Sequence, residues 1–162
     1  MGTMTKLITS SDILAVCTLD QSIDPFWFDR EILYCQEIYL KNILTEELYY
    51  VLLDAYEDDD LSDELQLIYD RYIKFIVCYG TAYRSVVGNI QTQAENQGLM
   101  ENRTDYSNVA KENERRQAFF LYEKCFHYQK QLGNFLLNNT ADYPDFDATK
   151  IVLYPEFTYF NF

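Results

Sequence analysis

An all-α domain is what this sequence predicts, and three observations predict it. Apolar residues recur at steps of three and four over long stretches. Most of these stretches open on a helix-start signal, and most close on Asn, Gly or a cluster of acids. No segment outside 89–106 shows the turn chemistry of a hairpin. With 162 residues the chain makes one domain with appendages. Folding at this length buries roughly 70% of the unfolded surface, so the fold needs no disulfide or metal to hold it.

Taken in order, Thr9-Ser10-Ser11-Asp12 before Ile13-Leu14-Ala15-Val16 forms a cap on a very short helix. Asp24-Pro25 then sets an N-cap and a first helical residue. From there Phe28, Ile32, Cys35, Tyr39 and Ile43 mark one face of a helix over about 25–43. Thr45-Glu46-Glu47 caps a second helix to about Tyr56, with its acids at the positive end of the helix dipole. Glu57-Asp58-Asp59-Asp60 follows as an acidic loop. Ser62-Asp63-Glu64 starts a third helix, with Leu65, Tyr69, Tyr72, Ile76, Tyr79 and Tyr83 down one face and Asp70, Lys74 and Arg84 opposite. Gly80 sits inside that pattern where another helix crosses closely, and Gly88-Asn89 ends it. Ser107 caps the last long helix, to about Asn138, with Ala118, Leu121, Cys125, Tyr128, Leu132 and Phe135 on its apolar face. Phe119, Phe120 and Phe126 widen that face, so this helix is expected to be covered on two sides.

Two segments break the helical rule. Residues 89–106 are polar on both flanks of Asn96-Gln97-Gly98, which has hairpin turn chemistry. The reading is a polar β-hairpin with no core face of its own, either a loop or an arm ordered by a neighbour. Its candidate contacts are Gln91, Gln93, Asn96, Gly98, Met100 and Arg103. The second segment is the aromatic stretch Ile151–Phe162, in which five of twelve residues are aromatic and only Glu156 is charged. Left in water it would be a large apolar patch. Its cover is either the domain's own core or another chain, and another chain is the expectation. Ile151, Leu153, Tyr154, Phe157, Tyr159, Phe160 and Phe162 are the candidate anchors, because large aromatics carry most interface energy. The expected organisation is a helical domain over 1–145, its hairpin arm at about 89–106, and an extended tail over 146–162.

The charge is uneven. Residues 1–70 hold 16 acids against three bases, while residues 71–162 hold ten of each. An acidic surface repels nucleic acid and membranes, since phosphates are gripped by Lys and Arg. It also simply keeps a protein in solution. The 15 Tyr and 11 Phe suit cores and interfaces alike; composition drift in an AT-rich genome gives the same excess.

Catalytic and metal-binding constellations are not found. Four cysteines, Cys17, Cys35, Cys78 and Cys125, are widely spaced, and three lie in apolar helical stretches where free Cys acts as a small hydrophobe. A disulfide framework is not expected, and a reducing compartment fits. His127 is the only histidine, and at two residues from Cys125 on a helix it points elsewhere. A zinc site lacks ligands. Asp58-Asp59-Asp60 lacks the alternating ligands, Gly and terminal Glu of a calcium loop. No signal peptide, no apolar run of 18 residues and no phosphate-binding Gly loop occurs. The expectation is no catalytic residue, no cofactor and no metal.

The order of segments resembles a family. Leu7-Ile8-Thr9-Ser10 opens the short capped helix, and Tyr39-Leu40-Lys41-Asn42-Ile43-Leu44 closes the next. Thr45-Glu46-Glu47-Leu48-Tyr49 begins a short helix, followed by the acidic gap and Leu61-Ser62-Asp63-Glu64. A long helix, the turn Asn96-Gln97-Gly98-Leu99 and a second long helix with Glu114-Arg115-Arg116 complete the series. Over residues 7–145 this resembles the head–tail connector (adaptor) proteins of tailed bacteriophages, of the crAss-like and Bacteroidetes-phage type. The aromatic tail is not part of the resemblance. The resemblance implies a four-helix, bundle-like domain and a structural role in the virion. It implies a ring of about twelve copies between portal and tail, a closed cyclic assembly. Its partners would be itself, the portal protein and the next tail or ring protein, with DNA passing through an acidic bore without specific binding. The competing reading is a stand-alone acidic helical module or regulator that binds another protein.

Overall fold

The computed structural model describes residues 5–19, 25–97 and 106–152. Among these residues every regular element is helical and no strand occurs. The order is α1 (Ser10–Val16), α2 (Pro25–Leu44), α3 (Glu46–Glu57), α4 (Asp63–Ile68), a π-helical turn (Tyr69–Ile73), α5 (Lys74–Gln97), α6 (Tyr106–Asn138) and a 3-10 turn (Thr140–Asp142).

The core lies where α2, α5 and α6 meet. Phe28, Ile32, Cys35 and Leu40 of α2 are fully buried, as are Ile76, Val77 and Cys78 of α5 and Leu132 and Leu136 of α6. Gly80 is the point of closest approach. A Cβ built there would lie 2.6 Å from Tyr39 Cδ2 and 3.4 Å from Cys125 Sγ, so α2 and α6 both press on α5 at a residue without a side chain. The expectation of a close crossing is met.

The N-terminal segment is tied down before α1 begins. Buried Gln36 of α2 accepts from the Leu7 N–H at 2.7 Å and donates to the Thr5 carbonyl at 3.0 Å. Tyr69 donates its hydroxyl to the Leu7 carbonyl at 2.7 Å, and burial raises its pKa. Leu7 and Ile8 thereby reach the core. Thr9 caps α1 in a reciprocal box with Asp12. Asp12 also meets Lys74 of α5 at 2.7 Å. Partial burial pushes the Asp12 carboxyl up, but hydrogen bonds from Lys74 and Thr9 outweigh it and leave its pKa lowered.

α4, the π turn and α5 form one continuous helix. The π turn spends extra residues on one revolution and re-phases the apolar face. Leu65, Ile68 and Tyr69 are buried before it, and Ile73, Ile76 and Val77 after it. Tyr72, Tyr79 and Tyr83, placed on the centre of that face by a uniform helical count, are therefore only half-buried at its edge.

Three local expectations are corrected. The predicted β-hairpin is not formed as such: residues 89–97 are the last turns of α5, which runs through Gly88-Asn89 without a break. A helix satisfies its own backbone, whereas a lone polar strand at 90–95 would leave its backbone unpaired. The other side of the expected hairpin, and Gly98, lie at residues 98–105, outside the described residues, and Tyr106 already begins α6 one residue before the predicted Ser107 cap. Thr45 precedes α3, but its side chain makes no capping bond. Its backbone takes φ 68° and ψ 162°, a region almost reserved for Gly, and its hydroxyl instead accepts from the Asp147 N–H at 3.4 Å.

That last bond belongs to a returning segment. After α6, residues 143–152 fold back on the helices. Tyr143 and Phe146 are buried, Tyr143 donates to the Glu64 carbonyl at 3.0 Å, and the Val152 N–H reaches the Asn42 carbonyl at 2.9 Å. The domain boundary expected at 145/146 thus falls inside a packed segment. Residues 153–162 lie outside the described residues.

Candidate interaction surface

The sequence placed candidate contacts in two groups, and the helices separate them. Gln91, Gln93 and Asn96 lie on the last turns of α5. Ile151 packs on the core next to Val152, at the α2–α3 corner. Glu31 of α2 pairs with Arg84, and Tyr39 meets Gly80, so α2 and α5 run antiparallel. The two groups are therefore at opposite ends of α5. Gly98, Met100, Arg103, Leu153, Tyr154, Phe157, Tyr159, Phe160 and Phe162 lie outside the described residues.

What the structure exposes instead is a set of large apolar side chains on its helices. Phe119 and Phe120 of α6 are 62% and 51% exposed. Among the described residues, the expectation that α6 is covered on two sides is therefore not met. Consecutive helical residues point 100° apart, so a Phe-Phe pair cannot seat both rings in one core stripe. On this helix Ala118, Leu121 and Cys125 take the core, and both rings are left outside. Lys124 Nζ lies 5.4 Å from the Phe120 ring centroid, and Arg116 is exposed beside Phe119, paired with Glu112.

A second exposed apolar site lies on α3. Leu48, Tyr49, Leu52 and Leu53 are buried, while Tyr50 and Val51 face outward. Acids surround them. Glu46 pairs with Lys41 and Glu47 with Lys150, and Lys41 Nζ sits 5.2 Å over the Tyr50 ring. No Lys or Arg among the described residues pairs with Asp54, Glu57 or Asp58. Phe75 stacks on Tyr128 at 4.8 Å and Tyr72 tilts against Phe135, so the α5–α6 seam is aromatic too.

The four cysteines are buried. Desolvation pushes the Cys17 and Cys35 thiols up to about 12 and raises those of Cys78 and Cys125 as well. All four are free thiols, and at neutral pH they are protonated and unreactive. Cys125 donates to the Ile76 carbonyl at 3.5 Å. His127 is exposed, its ring edge against Tyr128. Among the described residues no group of three or more His, Cys, Asp or Glu could hold a metal ion, and no helix is long and apolar enough to cross a membrane.

These features define the class: an acidic, all-helical protein with one shared hydrophobic core and, among the described residues, aromatic side chains left on its outer helices. The chain belongs to the family of unknown function DUF6712, whose model matches residues 40–153. The match runs from the end of α2 through the returning segment. No curated protein and no solved structure matches the chain.

Proposed function

We propose that this protein is a structural component of a tailed-phage virion, a connector subunit that forms a ring between portal and tail. One observation carries the reading: a domain that closes its own core still leaves Phe119, Phe120, Tyr50 and Val51 in water. Such patches are expected where other chains pack. The order of capped helices resembles that of connector proteins and supports the same reading. In it the helices form a bundle-like ring wall, the α5–α6 end and the region after residue 150 reach neighbouring rings, and no catalytic step is required. The acids of residues 1–70 keep passing DNA from sticking, because phosphates find few cations there.

A cryo-EM map of the parent particle tests the proposal. Closed-ring density for this chain at the portal–tail junction is expected, and its absence from that junction overturns the reading. The purified protein should also leave duplex DNA unshifted in a gel at low salt; tight, salt-sensitive binding would contradict the acidic-bore reading. The acidic bias also favours a second reading, a free-standing module that binds a basic partner protein. It predicts a chain that is absent from purified particles.

A further inference from the structure

We propose that the Phe119–Phe120 face of α6 docks on the Tyr50–Val51 face of α3 in a second copy of this chain, head to tail. The inference rests on the ring reading and names the two surfaces that would close the ring. Each face has the anatomy of an interface site, a small aromatic or apolar centre inside a charged rim.

The rims have opposite sign. Residues 106–138, the whole of α6, hold five bases against three acids, with Arg116, paired to Glu112, and Lys124 beside the two rings. Residues 46–57, the whole of α3, hold four acids and no base. On α3 both of the nearby cations, Lys41 and Lys150, are already matched by Glu46 and Glu47. Asp54, one turn beyond Tyr50 and Val51 on the same outer face, keeps its charge available to an approaching cation. Opposite rims steer the two faces together and fix which face meets which.

The same charges disfavour symmetric pairing. Two α6 faces brought together would oppose Arg116 and Lys124 to their own copies, and two α3 faces would oppose Asp54 to Asp54. Like charges held together across an interface repel and suppress that pairing. Unlike faces on separate elements of one chain give a heterologous contact, which repeats from copy to copy and closes into a ring when the rotation allows.

The test uses two full-length variants. One carries Phe119→Asp and Phe120→Asp, which sets acids against the acidic α3 face. The other carries Tyr50→Lys and Val51→Lys, which sets cations against the basic α6 face. All four positions are exposed, and circular dichroism with a melting curve checks that both variants fold like the parent. Sedimentation across a concentration series is the readout. The parent chain is expected to associate beyond a dimer and to loosen as salt rises. Each variant alone is expected to stay monomeric, with association at least tenfold weaker. Mixed in equal amounts they are expected to associate again in one-to-one proportion, because each supplies the intact face the other lacks. A variant that assembles like the parent overturns the proposal, as does an α3 variant that still dimerises. If the parent assembles but the mixture stays monomeric, the two faces are wrong while the ring stands. A parent that is monomeric throughout also overturns the proposal, and the particle map then decides the connector reading separately.

Discussion

Gly80→Ala and Gly88→Ala place the same chemical change on one helix in two environments. In an exposed helix interior Ala is favoured over Gly by about 0.5–1 kcal/mol, because Gly loses more backbone entropy on folding. At Gly88 a new Cβ meets nothing within 4 Å. The variant should gain that amount and melt higher by about 1–4 °C, at roughly 2–4 °C per kcal/mol for a chain of this size. At Gly80 the new Cβ would sit 2.6 Å and 2.7 Å from two carbons of the Tyr39 ring, where carbon atoms rest at about 3.5–4.0 Å. The obstacle is the flank of a packed ring, and the Tyr39 carbonyl is bonded to Gln129 of α6 at 3.1 Å. Relief requires α2 or the ring to move by about 1 Å, an overpacking cost of about 1–3 kcal/mol. Net of the propensity gain, Gly80→Ala should lose about 0.5–2 kcal/mol, a fall of about 1–8 °C. The propensity part cancels between the two variants, so the difference in their chemical-denaturation free energies isolates the crossing. In the Tyr39→Leu background the Gly80 penalty should shrink, with a coupling of about 0.5–3 kcal/mol. Equal stabilisation by both alanines would refute the close crossing of α2 on α5.

Phe146→Ala tests the returning segment: a buried Phe beyond α6 should cost about 3–5 kcal/mol, and a loss under about 1 kcal/mol in urea titration would mean the segment is not part of the core. Asp59 ends α3 at φ 53°, where its N–H and that of Asp60 return to Tyr56 and Ala55. Asp59→Gly should therefore raise stability by about 0.5–1 kcal/mol, by easing the left-handed residue and removing an acid from a helix C-terminus; a destabilised variant would contradict it. Asp12 has a folded pKa below its ordinary 3.8, so its contribution is fully present above that ordinary value and is lost as pH falls through the lower folded one. Asp12→Asn should lower stability at neutral pH and flatten the acid limb of the stability curve. Urea midpoints followed from neutral pH into the acid range check this, and an acid limb left unchanged by the substitution would show that the Lys74 and Thr9 bonds do not hold the carboxylate.

Local rules in the sequence determined the elements. The Thr9/Asp12 box, Pro25, Ser62 and the helix end at Asn138 all act within a few residues of themselves, and the helices begin or end close to each. The core faces of α2 and α6 were legible because a step of three or four residues marks a side that cannot stay in water. Gly80 was legible as a crossing because a glycine inside a strong helical pattern needs a packing reason.

Three things were decided by contacts far apart in the chain. Thr45 reads as a cap, but the residue that takes its hydroxyl is Asp147, which lies 102 positions away. The π turn at Tyr69–Ile73 follows from fitting one helix to both the N-terminal segment and α6, and no local spacing announces it. Residues 89–97 are polar enough to read as turn and strand, yet they continue a helix already nucleated by the buried first half of α5, and propagation adds a hydrogen bond for each residue fixed. The exposed faces lie between these cases. A Phe-Phe pair on a helix must send one ring away from any single partner, which periodicity alone can tell. That both rings stay uncovered depends on where α2 and α5 leave room around α6, and only the packed arrangement sets that.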